Sequence, residues 1–214
     1  MNEVKSYNTI FDDATGEIVE KKSRFIANIF HVESEEEATA IIERTKKQYW
    51  DARHNCYAFI LGKGSEIKRF SDDGEPQGTA GKPILEVISG KELTNILVIV
   101  TRYFGGVLLG TGGLVRAYSD ATNEGLNNAF LKTMCLMKQT VVGIDYNSVG
   151  KLKYLLASEG IIVVDEQYTD VVKLIVAIPT DDNDRIIKKI TDATGGKAVY
   201  EELEETYVAV DMRD

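Results

Sequence analysis

The sequence predicts an α+β fold divided between two domains, and two observations support this prediction. After Leu131 the hydrophobic pattern restarts and follows the order strand, helix, strand, strand, helix, strand, which is typical of a ferredoxin-like domain. The charge also changes sign, because residues 44–116 carry 11 Lys and Arg against 7 Asp and Glu, whereas residues 136–214 carry 9 against 15. We therefore predict a first domain over residues 1–134 and a ferredoxin-like βαββαβ domain over residues 135–214.

The first domain begins with strand patterns and a helix. Residues 3–10, 16–21 and 23–31 are rich in β-branched and aromatic residues and are separated by turn signals. Ser34 and Glu37 form a capping box, after which apolar residues recur every three or four positions, so a helix is predicted there.

The next predicted strand, residues 55–61, follows a histidine and contains a cysteine. In an extended chain His54 and Cys56 point to the same face, and these are the residue types of a catalytic thiol. Such a thiol also needs an orienting group and an oxyanion site. We favour the alternative in which Cys56 is a packing residue and His54 bonds a loop.

A loop rich in acids and glycines follows a short strand at residues 67–70. Its Asp-Gly pair indicates a turn, and Pro76 keeps Glu75 out of the helical region, so a defined conformation is expected. Asp72, Asp73 and Glu75 are candidate ligands for Mg²⁺. Alternatively, they cap turns and the start of the next helix near Thr79.

The chain is organised around residues 95–118, where a buried strand runs into a glycine loop and then into a helix that follows Gly113. The loop holds five glycines within nine residues, which suggests backbone with positive φ or a close approach. Unpaired N–H groups at a helix start attract anions, and Arg102 and Arg116 flank the loop. An anion-binding surface is predicted, with close packing of helix on sheet as the alternative role of the glycines. Neither a phosphate-loop nor a dinucleotide-binding motif is complete here.

Three segments carry a resemblance to a known family. DARHNCYAF (51–59), SDDGEPQGTAGKPIL (71–85) and TRYFGGVLLGTGGLVRAY (101–118) lie in this order and closely resemble the YigZ/IMPACT family. The resemblance implies the bacterial two-domain branch, with an N-terminal domain of the UPF0029 type. That domain is expected to resemble the fourth domain of elongation factor G and a ribosomal-protein domain, with a mixed sheet and helices on one face.

The resemblance also implies a role in translation and no settled enzymatic activity, because the eukaryotic relatives restrain a translation-regulating kinase pathway by binding its ribosome-associated activator. We therefore expect a protein without a cofactor that binds RNA, the ribosome or a ribosome-associated regulator through a basic, glycine-rich face. In this interpretation the arginines contact phosphate and an aromatic ring stacks on a base. The expected binding residues are Arg102, Tyr103, Phe104, Gly105, Gly106, Gly110, Gly112, Gly113 and Arg116. The expected supporting residues are Arg53, His54, Ser71, Asp72, Asp73, Gly74, Glu75 and Thr79.

Two other classes of function remain open. An enzyme acting on a phosphorylated small molecule would hold Mg²⁺ with the three acids of the SDDGEP loop, close to the glycines. A protein-binding module without an anion site would instead pair its arginines internally with acids. An open, convex basic face would favour the binding protein over the enzyme.

The composition of the whole chain limits the classes of partner, the roles of the cysteines and the location that we expect. The net charge of −9 argues against a general nucleic-acid coat. Cys56 and Cys135 stand far apart without metal-ligand spacing, so neither a disulfide framework nor a zinc ribbon is expected. The sequence shows neither a signal-peptide pattern nor a long apolar run, and a cytoplasmic location is expected. The oligomeric state is not predicted.

Overall fold

A computed structural model describes residues 4–211, and these divide into two compact units. The first unit comprises residues 4–133 and residue 211, and the second comprises residues 134–210. The elements of the first unit are β1 (Ser6–Ile10), β2 (Ala14–Glu20), β3 (Ser23–His31), α1 (Glu35–Gln48), β4 (His54–Leu61), β5 (Ile67–Ser71), α2 (Gly81–Gly90), β6 (Ile96–Tyr103) and α3 (Gly110–Asn127).

The first unit is built on a five-stranded sheet in the order β2-β3-β6-β4-β5 whose neighbouring strands all run antiparallel. α2 and α3 pack on one face, where Ile84 and Tyr118 meet Val98 of the central strand. α1 packs on the opposite face, where Ile42 belongs to the same core as Leu97. The expectation of a mixed sheet with helices on one face is therefore wrong. β6 is buried along nearly its whole length, so both of its faces are apolar and both need a covering helix.

Helix α3 starts earlier than the sequence predicts. It begins at Gly110, so Gly110, Gly112 and Gly113 lie in its first turn instead of in a loop. The apolar stripe through Leu114 and Tyr118 is buried against the sheet, and this packing compensates for the poor helix propensity of the glycines. The loop between β6 and α3 is therefore only residues 104–109.

Two glycines let α3 lie directly on the edge of this sheet. A Cβ atom added to Gly16 in β2 would lie 2.5 Å from the backbone nitrogen of Gly125 in α3. A Cβ added to Gly125 would in turn lie 2.9 Å from Cδ1 of Ile29 in β3. Any larger residue at either position would push the helix away from the strands.

The second unit has the predicted ferredoxin-like order, which is confirmed. Its elements are β7 (Leu131–Ile144, which starts in the first unit), α4 (Val149–Ser158), β8 (Ile162–Tyr168), β9 (Val172–Pro179), α5 (Asn183–Ala193) and β10 (Val199–Asp211). The strands lie in the order β10-β7-β9-β8. Leu152 and Leu156 of α4 and Ile186 and Ile190 of α5 form a core with the strands. Across the described residues, the helices are all too short or too polar to cross a membrane.

Candidate functional site

The site is built on the loop that joins β5 to α2. Asp72 organises this loop, because its carboxylate accepts hydrogen bonds from the backbone N–H groups of Gly78 (2.8 Å), Ala80 (3.1 Å) and Gly81 (2.9 Å). The N–H of Gly78 belongs to the loop, whereas those of Ala80 and Gly81 belong to the start of α2, where the N-cap residue Ala80 has no side chain that can cap the helix. Asp72 therefore caps the start of α2, although it lies eight residues before the N-cap residue in the sequence. This agrees with the alternative in which the acids of the loop cap turns and the helix start.

Asp73 ties the same loop to two other elements. Its Oδ2 accepts the backbone N–H of Asn55 in β4 at 2.7 Å, and its Oδ1 pairs with Nζ of Lys46 in α1 at 2.5 Å. Ser71 Oγ accepts the backbone N–H of Asp73 at 3.2 Å, and Thr79 Oγ1 donates to the carbonyl of Pro76 at 2.6 Å. The loop is thus held at both ends by its own polar side chains.

Glu75 turns inward and forms a buried ion pair with Arg102 of β6. Nη1 of Arg102 lies 2.6 Å from Oε1 of Glu75, and the two side chains are only 6% and 3% exposed. The hydroxyl of Tyr118 in α3 donates to the same oxygen at 2.9 Å. One carboxylate therefore joins the loop, the central strand and α3.

His54 completes this network from β4. Its Nδ1 lies 2.8 Å from the carbonyl oxygen of Asp73, which can only accept, so Nδ1 carries the proton. Its Nε2 faces Oε1 of Glu75 at 3.9 Å. His54 bonds a loop, as expected, and it is also oriented towards the buried ion pair.

The three acids of this loop have three different sets of partners, and they do not converge on one point. Among residues 4–211, no group of three or more His, Cys, Asp and Glu residues is arranged to hold a metal ion. The magnesium site of the enzyme alternative is therefore not formed by Asp72, Asp73 and Glu75.

Cys56 is a fully buried thiol. Its Sγ lies 3.0 Å from the carbonyl oxygen of Asp72 and 3.3 Å from the hydroxyl oxygen of Tyr118. Burial raises the pKa of the Cys56 thiol far above its ordinary value, and the negative charge of Glu75 raises it further. The neutral thiol, a poor nucleophile, is thus the form present at neutral pH.

Sequence reasoning missed Tyr118, which the network requires. Burial also raises the pKa of its hydroxyl, so Tyr118 stays a neutral donor to Glu75. The available signal was a tyrosine on the buried stripe of α3 among Ala117 and Ala121, because a buried tyrosine hydroxyl needs a polar partner.

A pocket of about 360 Å³ opens beside this network. Its polar lining residues are Arg53, His54, Glu75 and Arg102, and the larger apolar ones are Phe104, Leu108, Leu109 and Leu114, with Gly74, Pro76, Gly110 and Thr111 between them. Of the predicted binding residues, the structure therefore brings Arg102, Phe104 and Gly110 to the pocket. Of the predicted supporting residues, it brings Arg53, His54, Gly74 and Glu75 there.

Other predicted binding residues lie away from the pocket lining. The hydroxyl of Tyr103 donates to Oδ1 of Asp51 at 2.9 Å, and the guanidinium of Arg24 lies 5.9 Å from the Tyr103 ring. Arg116 is exposed on α3. Gly105 lies where a Cβ would be 2.0 Å from the carbonyl carbon of Lys22, so this glycine allows a close backbone approach.

Arg102 is enclosed by aromatic rings as well as paired. Its guanidinium carbon lies 5.4 Å from the ring centre of Phe25 and 5.6 Å from that of Phe104. Its Nη2 is 3.5 Å from Oγ of Ser23, while its buried Nε has no hydrogen-bond partner among residues 4–211. This is the internal pairing that the protein-binding alternative described. A contact of Arg102 or Arg116 with phosphate stays a prediction.

The loop between β6 and α3 exposes apolar side chains at the rim of the pocket. Leu108 is 83% exposed, and Phe104 and Val107 are about 40% exposed. The guanidinium of Arg53 lies 5.5 Å from the Phe104 ring. We call residues 104–109 the apolar loop.

Comparisons with known proteins place this architecture. Residues 21–126 match the Impact N-terminal domain, and residues 142–197 match a domain of unknown function, DUF1949. The protein named IMPACT family member YvyE of Bacillus subtilis is 38% identical over 203 residues, which cover 95% of this chain and 94% of that protein. The chain belongs to the YigZ/IMPACT family.

Other members of the YigZ/IMPACT family agree with this assignment. IMPACT family member YigZ of Escherichia coli is 35% identical over 187 residues, covering 86% of this chain and 92% of YigZ. The crystal structure of a hypothetical protein covers 94% of this chain and 99% of its own, with 33% identity and a TM-score of 0.61. Every residue that lines the pocket falls within the Impact N-terminal domain.

Proposed function

We propose that this protein is a non-catalytic, translation-associated binding protein whose first unit docks on a protein partner. Membership of the YigZ/IMPACT family supports the link to translation, because the resemblance implies partners that work beside the ribosome. The observation that carries the choice of partner is the apolar loop, which stands next to an arginine whose charge is already neutralised.

The apolar loop has the features of a docking surface. It exposes Phe104, Val107 and Leu108 in one short stretch, and contiguous exposed apolar groups commonly mark sites of protein association. The N–H of Gly105 donates to Oγ of Ser23 at 3.2 Å, which fixes the start of the loop on β3. A fixed loop loses less conformational entropy on binding, so the exposed area contributes more to affinity.

The charge distribution favours protein over RNA as the partner. Affinity for RNA depends on cations that are free to replace the counterions of phosphate groups. Arg102 is enclosed and paired with Glu75, so it is not free to replace a counterion. Arg53 and Arg116 are exposed, as is Lys22, whose backbone lies against Gly105. The chain as a whole carries a net charge of −9, which disfavours a broad contact with nucleic acid.

Co-sedimentation with ribosomes across a salt series tests the proposal. We expect the wild-type protein to sediment with ribosomes and to lose little binding between low and physiological salt, since apolar contacts are insensitive to screening. Leu108→Ser should abolish co-sedimentation, because it removes the most exposed apolar side chain of the apolar loop. Since Leu108 is exposed, its replacement should leave the fold intact. Arg116→Gln serves as the matched control on α3 and should bind like wild type.

RNA binding would give a different result in the same experiment. Binding would then fall steeply with salt, and Arg116→Gln would lower the slope of log K against log [salt] by about 0.7 to 0.9. That result, or Leu108→Ser binding as tightly as wild type, or no co-sedimentation at all, would overturn the proposal.

A further inference from the structure

The pocket beside the apolar loop has the dimensions and lining of a small-molecule site. Its volume of about 360 Å³ lies in the range of known ligand sites. Phe104, Leu109 and Leu114 supply apolar lining, and Arg53, His54, Glu75 and Arg102 supply the charged and polar groups. This combination fits a ligand that has an apolar body and one polar end.

The start of α3 indicates that the polar end of the ligand is negatively charged. This helix is 18 residues long and begins at the pocket, where Leu109, Gly110 and Thr111 contribute to the lining. Within the described chain, its first turn contains no acidic residue and its N-cap makes no side-chain hydrogen bond. The first N–H groups of a helix and its dipole give this end of α3 a partial positive charge beside the pocket.

Arg53 adds a positive charge at this end of the pocket, and Arg102, whose charge is neutralised by Glu75, adds a hydrogen-bond donor. Arg53 is exposed at the rim, with its guanidinium over the Phe104 ring. Arg102 is buried, lines the pocket, and keeps an Nε–H without a partner among the described residues. The carboxylate of Glu75 is already taken up by Arg102 and Tyr118, so it does not cancel the charge of Arg53.

We propose that this pocket binds the carboxylate of an amphiphilic organic acid, with the carboxylate at the start of α3 beside Arg53 and the apolar body against Phe104, Leu109 and Leu114. The same chemistry has two sources, a free organic acid or the C-terminal carboxylate of a polypeptide that ends in an apolar residue. The proposal stands apart from the docking of a protein partner, because its first test uses small probes alone.

Titration of the full chain with benzoate, followed by calorimetry and by amide NMR, tests the proposal. Benzamide has the same ring without the charge, and acetate has the charge without the ring. We expect both to bind at least about tenfold more weakly than benzoate, the effect expected for one charge-assisted hydrogen bond or one buried ring. The amide signals of Leu109, Gly110 and Thr111 should move on titration with benzoate.

Two arginine variants locate the charge. Arg53→Gln should weaken benzoate binding by about tenfold, whereas Arg116→Gln, which changes an exposed arginine of α3 outside the pocket lining, should not. Circular dichroism of each variant checks that the fold is retained. A peptide ending in a free leucine carboxylate, compared with its C-terminal amide, then distinguishes the two sources. The amide shows whether the terminal carboxylate of the peptide is what binds. If the peptide with the free carboxylate binds more tightly than benzoate, the ligand is a polypeptide end; if that peptide binds more weakly than benzoate, the ligand is a free organic acid.

Three results would overturn the proposal. The first is the absence of benzoate binding at millimolar concentration, and the second is equal affinity for benzoate and benzamide. The third is an equal effect of Arg53→Gln and Arg116→Gln, which would show that the pocket does not hold the carboxylate. None of these results depends on ribosome co-sedimentation, so failure here leaves the docking function to its own test.

Discussion

Removing the charge of Glu75 should destabilise the first unit strongly, because its partner cannot reach water. The Glu75 and Arg102 side chains are 3% and 6% exposed, and their charged atoms are 2.6 Å apart. Glu75→Gln keeps the shape of the side chain but leaves the guanidinium buried without a counter-charge. Breaking a buried ion pair in this way costs about 3 to 5 kcal/mol. Since domains are stable by only about 5 to 15 kcal/mol, the loss is a large fraction of the total.

The structure supplies a matched control with the same chemistry at the surface. Glu17 and Arg24 pair at 2.7 Å, but their side chains are 42% and 51% exposed. Water screens this pair, so Glu17→Gln should cost far less than Glu75→Gln. Urea unfolding of the full chain, followed by circular dichroism, gives the free energies, and native-state hydrogen exchange assigns the loss to the first unit.

A double variant shows whether the stability lost in Glu75→Gln comes from the uncompensated charge of Arg102 or from altered packing. Combining Glu75→Leu with Arg102→Met removes both charges and should recover much of the stability that Glu75→Gln loses. If Glu75→Gln is as stable as Glu17→Gln, the ion pair does not compensate a buried charge, and the argument that Arg102 is unavailable to phosphate would lose its basis.

Three further expectations concern the thiols, the glycines and the division into units. Iodoacetamide at neutral pH should label Cys135 faster than Cys56 in the folded protein, because Cys56 is fully buried whereas Cys135 is partly exposed. Burial raises the pKa of both thiols, and it raises that of Cys56 far above its ordinary value, so comparable labelling rates by mass spectrometry would contradict this expectation. Gly105→Ala should lower the melting temperature sharply, since its Cβ would clash with the backbone of Lys22. Gly112→Ala, with nothing described within 4 Å of its Cβ, should instead stabilise the protein by about 0.5 to 1 kcal/mol. Equal melting temperatures for the two variants would refute the clash. A fragment of residues 134–214 should melt cooperatively in calorimetry, because its helices cover one face of its own sheet, and a gradual melt would argue against independent folding.

Local patterns predicted the elements of this fold well, because short-range physics determines them. The N-cap half of the capping box at the start of α1 is confirmed, since Oγ of Ser34 accepts the N–H of Glu37 at 3.1 Å, whereas the Glu37 carboxylate accepts the N–H of Glu33 at 2.8 Å. The βαββαβ order of the second unit was predicted from apolar spacing, in agreement with the family resemblance. The start of α3 at Gly110 could not be predicted in this way, because glycine disfavours helix and the helix is stabilised by contacts further along the chain.

The site was predicted as a set of residues but not as a network. The motifs singled out Glu75 and Arg102, yet their pairing spans 27 residues and the bond from Tyr118 to Glu75 spans 43. Such pairings depend on which strands adjoin, and no local pattern carries that information. The sequence therefore indicated an anion site around Arg102, whereas the structure gives that arginine a buried partner and leaves the free charge on Arg53 and at the start of α3.

The contact between Gly16 and Gly125 has a consequence for ligand affinity that reaches across the first unit. Gly125 sits near one end of α3 and Gly110, in the pocket wall, forms the other, about 22 Å away at 1.5 Å per residue. Because a helix of this length is stiff, a displacement at Gly125 is expected to be transmitted to its other end. A methyl group added at Gly16 would tilt the helix and change the width of the pocket mouth, although every residue around the ligand stayed the same. If the pocket binds the proposed acid, its affinity is therefore expected to depend also on Gly16, a residue outside the pocket lining.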